Sequence, residues 1–267
     1  MAKRGVFLPA FDALADAAVI ASLAADAERA GWDGFFLWDH LAYAPPVVSI
    51  ADPWVCLTAA ALSTTRITLG PMVTPLSRRR PTVLAKQAVT LDRLSRGRLV
   101  LGFGLGDDGA AREMSRFGEE ADPVRRAAVL DEGLAVLQDL LSGQQVDHDG
   151  AHHTVHGRFL PGPWRASGIP MWLAARWPND RPLRRASHYD GAFAIGVDHA
   201  EQAQQLVARL AALRGALNDF DVVIDLPDGT DPAPLTAVAG VTWLLTRFGP
   251  YEMDLNTVRA HIATGPR

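Results

Sequence analysis

Residues 98–109 read RLVLGFGLGDDG, an apolar strand-like run that ends in Gly104-x-Gly106-x-x-Gly109. A strand leading into Gly-x-Gly-x-x-Gly is the fingerprint of a dinucleotide-binding Rossmann turn. In that fold the motif follows the first strand, and an acid about 20 residues on ends the second. Here three strand-like runs already precede it: 4–9 (RGVFLP), 34–39 (GFFLWD) and 67–73 (ITLGPMV). The residues about 20 positions further, Pro123 to Arg126, open a helix rather than end a strand. The adjacent carboxylates of Asp107 and Asp108 would also repel a pyrophosphate. The motif is present, but its usual meaning does not fit its place in the chain.

Counting outward from this stretch, further apolar runs follow at 170–175, 191–196, 221–226 and 241–247. They are apolar throughout rather than alternating, as strands covered on both faces of a parallel sheet are. Helices lie between them. Asp52-Pro53, Asp122-Pro123 and Asp231-Pro232 each offer an acidic N-cap followed by proline at the first helical position. Asp198 with Glu201 forms a capping-box pattern ahead of a helix over 199–217, and Pro81 opens a helix over 81–95. Eight strand–helix pairs in a 267-residue chain predict a (β/α)8 TIM barrel, for which about 250 residues is typical. A doubly wound open sheet is the alternative that this pattern leaves. Residues 142–169 carry no helix signal and read as a hairpin-like insertion before the fifth strand. No linker-like stretch divides the chain, so residues 1–267 are expected to form one domain.

Bulk properties narrow the function classes. The formal charge is −4, which gives no chain-wide pull toward nucleic acid or an anionic membrane. Neither a secretory signal nor a membrane span is legible, so a soluble cytoplasmic protein is expected. The single cysteine, Cys56, excludes an internal disulfide and a cysteine-based zinc site; its apolar neighbours predict a buried, inert thiol. Four of the eight histidines fall in 148–156 (HDGAHHTVH), but their spacing matches no metal motif, and no metal is expected. No Gly-x-Ser-x-Gly elbow supports a hydrolase.

In a (β/α)8 barrel the chemistry sits at the C-terminal ends of the strands. That rule selects Asp39 and His40, Met72 to Thr74, Gly104 to Asp108, Ala175 to Trp177, Gly196 and Arg247. An imidazole at such a position suits proton transfer near neutral pH; the competing reading of His40 is a helix cap or a carbonyl partner. Asp39 reads as an orienting or structural carboxylate rather than a base. Backbone N–H groups at the helix start after 175, with Arg176, suit a phosphate.

Several stretches in order carry a family resemblance: GWDGFFLWDHL (31–41), DPWVCLTAAALSTTRITLGPMVTPLSRRRP (52–81) and LDRLSRGRLVLGFGLG (91–106). Glu113 ahead of Phe117-Gly118, Arg126 ahead of Asp131-Glu132, PMWLAA with RWPND, and RRASHYDGAF continue the match. Together they resemble the luciferase-like monooxygenase family, flavin- or F420-dependent oxidoreductases on a TIM barrel. The resemblance implies a tricyclic cofactor across the C-terminal mouth, against Met72, Val73, Thr74, Gly104, Gly106 and Asp107, with a non-prolyl cis peptide at Met72–Val73. Gly102, Gly104 and Gly106 then keep the fourth strand end free of side chains for a flat ring. Its phosphate would lie near Ala174, Ala175, Arg176 and Trp177, with Arg126 matching a phosphate-reaching arginine; the competing reading of Arg126 is a surface salt bridge. Catalysis would fall to His40 and Asp39.

Reduced FMN with oxygen acting on a small organic substrate is the first reading, with a flavin reductase as the implied supplier of the cofactor. F420-dependent hydride transfer is the second, with Arg78 to Arg80 available to an anionic tail. A non-catalytic flavin-binding barrel is the third. Family members commonly dimerise, so a homodimer is implied.

Overall fold

A computed structural model describes residues 2–109, 111–251 and 254–266; both ends of the expected 1–267 span lie outside the described residues. Its elements run β1 (Lys3–Leu8), α1 (Ala17–Arg29), β2 (Gly34–Leu37), α2 (Pro53–Ser63), β3 (Thr68–Pro71), β4 (Thr74–Pro75) and α3 (Pro81–Ser95). There follow β5 (Leu101–Gly104), α4 (Pro123–Leu141), β6 (Gln145–Asp149), β7 (Thr154–Arg158), β8 (Met171–Arg176) and α5 (Asp180–Ala186). The chain continues through β9 (Gly191–Ile195), α6 (Ala200–Arg214), β10 (Asp221–Pro227), α7 (Ala233–Thr236), β11 (Trp243–Arg247) and α8 (Leu255–Ala263).

Nine strands pair in the order β3-β2-β1-β11-β10-β9-β8-β5-β4, every pair parallel. The two ends of this order are halves of one barrel strand. The lower half, β3, pairs with β2, and the upper half, β4, pairs with β5. A parallel bridge between Leu69 and Leu99 closes the ring beneath them. The barrel is therefore eight-stranded, and the sequence-based strand 67–73 is corrected to two short pieces separated at Met72–Val73. That bond is cis, as the resemblance implies. The expected hairpin is present as β6–β7, antiparallel and outside the barrel sheet.

Side-chain alternation along each strand builds two cores. The outer one packs residues such as Leu8, Leu37, Leu101 and Ile224 against the helices. The inner one fills the barrel with Phe7, Phe36, Met72, Val100, Trp172, Phe193, Val223, Trp243 and Leu245. Trp38, Val73, Ala174 and Ile195 lie partly buried on that plug. They are the floor of the open mouth.

Helix starts follow the sequence. The Asp52 side chain accepts from Val55 N, and the Asp122 side chain from Val124 N and Arg125 N, each with proline next in line. The α6 cap is corrected by one residue. Gln202 Oε1, not Glu201, reaches back to the N–H groups of Asp198 and His199, at 2.8 and 3.3 Å. Cys56 is buried, and burial pushes its thiol up to about 11. Among the described residues no helix is long and apolar enough to cross a membrane.

Candidate active site

The mouth is built from strand ends whose inward direction is fixed by register. Asp225 pairs with Leu245, and Arg247 with Phe7; both partners belong to the inner plug. Arg176 likewise pairs with Ile195 on the floor. Asp225 and Arg247 thus stand on the inner wall above β10 and β11, and their ion pair measures 2.7 Å. Burial pushes the Asp225 carboxyl up despite Arg247. The Gly196 N–H also faces the Asp225 carboxylate, and among the described residues the buried Trp38 Nε1 has no hydrogen-bond partner.

Three residues past β2, His40 sits in an aromatic corner formed by Phe11, Trp38 and Tyr43, with ring centroids 5.1–5.9 Å away. Its Nδ1 lies 2.8 Å from Glu113 Oε2. The same oxygen accepts from Leu41 N at 3.2 Å and Ala42 N at 3.5 Å. Glu113 Oε1 is paired with Arg78 Nη1. Among the described residues His40 Nε2 has no partner, and the side chain is 28% exposed. The ring nitrogen available to a ligand is therefore Nε2.

Asp39 points away from this opening. Its carboxylate, 2% exposed, accepts from Trp54 Nε1 (3.2 Å), Thr74 Oγ1 (2.8 Å), Arg78 Nη2 (2.6 Å) and Arg79 Nη2 (2.9 Å). Burial works against its charge, but Arg79 and Arg78, helped by the bonds from Arg79 and Thr74, outweigh it and hold the carboxyl below the usual range. Of the two expected roles the geometry fits the structural one, and the assignment of Asp39 to the catalytic pair with His40 is corrected: its carboxylate touches the arginines, Thr74 and Trp54, not the mouth.

Other expected residues divide by face. Met72 is in the plug, Val73 and Ala174 on the floor, and Asp107 exposed at the rim. Thr74 is buried and committed to Asp39. A Cβ at Gly102 would overlap Pro71 O and one at Gly106 would overlap Met114 Cε, so protein atoms use the room that these glycines leave. At Gly104 the neighbours are Val73 and Ala174, themselves floor residues. Ala175 and Trp177 pack with the outer core, so only their backbone is available to the mouth.

Arg126 is buried rather than in a surface salt bridge; its Nη1 donates to the Ala121 carbonyl at 2.7 Å. The helix start expected to hold phosphate belongs to the seven-residue α5, whose first turn carries Asp180. That carboxylate is held by Arg184 and Arg209, and like charge opposes a phosphate beside it. Arg78 and Arg79 are also corrected from tail binders to partners of Asp39 and Glu113.

Glu113 is the functional candidate that residue-by-residue reading missed. It lies 73 positions from His40, in a loop whose path no local pattern gives. Its only signal was an acid beyond the fourth strand end, inside the family-like stretch. In the histidine-rich segment Glu132 takes the N–H groups of His152 and His153 and faces His148 Nε2 at 3.2 Å. Among the described residues no group of three or more His, Cys, Asp or Glu is placed to hold a metal.

Comparison with known proteins assigns this architecture. The family model described as luciferase-like monooxygenase matches residues 3–264, and the chain belongs to that family. An F420-dependent glucose-6-phosphate dehydrogenase from Beutenbergia cavernae is 30% identical over 220 residues, covering 77% of this chain and 62% of that protein. Several of the curated relatives are longer still, and the chain spans about half of their length. A monooxygenase from Streptomyces bottropensis superposes with a TM-score of 0.76 at 18% identity, over 97% of this chain and 96% of that one. The coenzyme F420-dependent tetrahydromethanopterin reductase of Methanopyrus kandleri gives 0.74 at 19%, over 98% and 97%. These two similarities concern the fold.

Proposed function

We propose that the chain is an F420-dependent oxidoreductase that exchanges hydride with an alcohol or carbonyl carbon, His40 moving the accompanying proton. The observation that carries this reading is the His40–Glu113 pair at the barrel mouth, with Nε2 left free. An imidazole held at one nitrogen by a buried carboxylate, with the other nitrogen open, is the arrangement of a general base. The 30%-identical relative that is F420-dependent favours this cofactor over FMN with oxygen.

The chemistry of the lining supports a tricyclic ring as occupant: Trp38, Val73, Ala174 and Ile195 offer it an apolar floor, and the Trp38 Nε1 donor and the Asp225 carboxylate stand beside that floor. When bound, F420 supplies hydride exchange without oxygen chemistry. Val73, Ala174 and the bare backbone at Gly104 would hold the ring, and the Phe11–Trp38–Tyr43 corner would keep water from the reacting carbon. His40 Nε2 takes the hydroxyl proton in the oxidative direction and returns it in the reductive one. Glu113 balances the charge gained by the imidazole. Arg247, held against Asp225, offers its outer guanidinium nitrogens to a polar group on the substrate.

The test is anaerobic incubation with oxidised F420 and a panel of secondary alcohols and sugar phosphates, followed by loss of cofactor absorbance. Reduction that disappears in His40→Ala supports the reading. Oxygen-consuming turnover with reduced FMN, and none with F420, would replace it.

A further inference from the structure

Behind Glu113, on the side away from His40, stands a buried and charged side chain. Arg78, 2% exposed, sends Nη1 to Glu113 Oε1 and Nη2 to Asp39, reaching both its Oδ1 (2.6 Å) and its carbonyl oxygen (2.8 Å). Asp39 is in turn fixed by Trp54, Thr74 and Arg79. The result is an ordered line from the β4 segment through Asp39, Arg78 and Glu113 to His40.

We propose that Arg78 is a positioning residue that sets the tautomer of His40, keeping the proton on Nδ1 and the lone pair on Nε2. Every polar neighbour of Glu113 other than His40 is a donor: the Arg78 guanidinium on one oxygen and two backbone N–H groups on the other. A carboxylate so surrounded is a full acceptor, and only a protonated Nδ1 can face it at 2.8 Å. Among the described residues Arg78 is the sole donor to Oε1 and ties Glu113 to Asp39; without it that oxygen is buried and unpartnered, a cost the carboxylate relieves by turning toward water and away from Nδ1. Nδ1 then loses its acceptor, and the His40 proton is free to sit on Nε2, the nitrogen that must act as base. A guanidinium serves both carboxylates because its two nitrogens diverge in a fixed fork, which a single ammonium cannot copy.

The functional consequence rests on the proposed role of His40, but the tautomer does not. Long-range proton–nitrogen NMR of the cofactor-free protein in alkaline buffer reads it directly, on the wild type, Arg78→Gln and Arg78→Lys. The wild type is expected to show His40 protonated at Nδ1. Both variants are expected to show a mixture or a switch to Nε2, Arg78→Lys serving if Arg78→Gln does not fold. In turnover, kcat should fall by about tenfold or more while substrate KM and cofactor affinity stay within about twofold. An unchanged Nδ1 tautomer in a folded variant overturns the proposal, whatever the turnover. A switched tautomer in an enzyme whose rate is indifferent to His40→Ala would sustain the positioning role and reject the proposed reaction instead.

Discussion

At residue 40 the chemistry narrows to one atom. Nδ1 is occupied by Glu113, so the proton transfer proposed for His40 falls to Nε2. Replacing His40 by alanine should lower turnover by about 10²–10⁴-fold, the usual share of a positioned general base, with cofactor affinity retained. Steady-state kinetics beside a binding titration checks both halves. Glu113→Gln should lower kcat less, because the imidazole keeps a neutral partner but loses the charge that balances its protonated form. His40 was legible as a candidate from its strand-end position together with the family resemblance. Its partner was not, since side-chain pairing over 73 positions depends on the path of a loop. Asp39 was legible as a candidate for the same positional reason and misread in direction: adjacent residues past a strand end turn to opposite sides.

Among the elements, the broken third strand is the most constrained. β3 and β5 approach so closely that a Cβ at Gly102 would overlap Pro71 O and Met72 Sδ. Gly102→Ala should therefore cost about 1–3 kcal/mol, the usual range for overpacking a core, read as a lower midpoint in thermal or urea unfolding. The periodicity of 67–73 announced a strand without its break, because an apolar run looks the same whether or not its pairing changes partner midway. The β6–β7 hairpin carries a pH prediction. Burial alone would raise the Glu132 carboxyl, but the bond from His148 and the N–H groups of His152 and His153 hold it down at about 2. A depressed carboxylate stabilises the fold fully above its ordinary value near 4.5 and loses that contribution as pH falls toward 2. Glu132→Gln should consequently flatten the acid limb of the stability curve over that window and leave neutral turnover unchanged.

For the whole molecule, the barrel was legible because strand count, helix caps and chain length all converge on one architecture. The Gly-rich turn at 104–109 misled only when taken alone: Gly104 ends the fourth barrel strand, and Asp108 accepts from the N–H groups of Met114 and Ser115. The phosphate end of the mouth was less legible. Proline, asparagine and aspartate at 178–180 signal a helix start but not its shortness or the partners of Asp180. The proposed function requires a cofactor at the mouth beside the His40–Glu113 pair, so the most direct measurement is fluorescence titration of the cofactor-free protein with F420 and, separately, with reduced FMN. Saturable micromolar binding of F420, tighter than FMN and undiminished in His40→Ala, is the predicted result. Failure of both cofactors to bind would contradict the account.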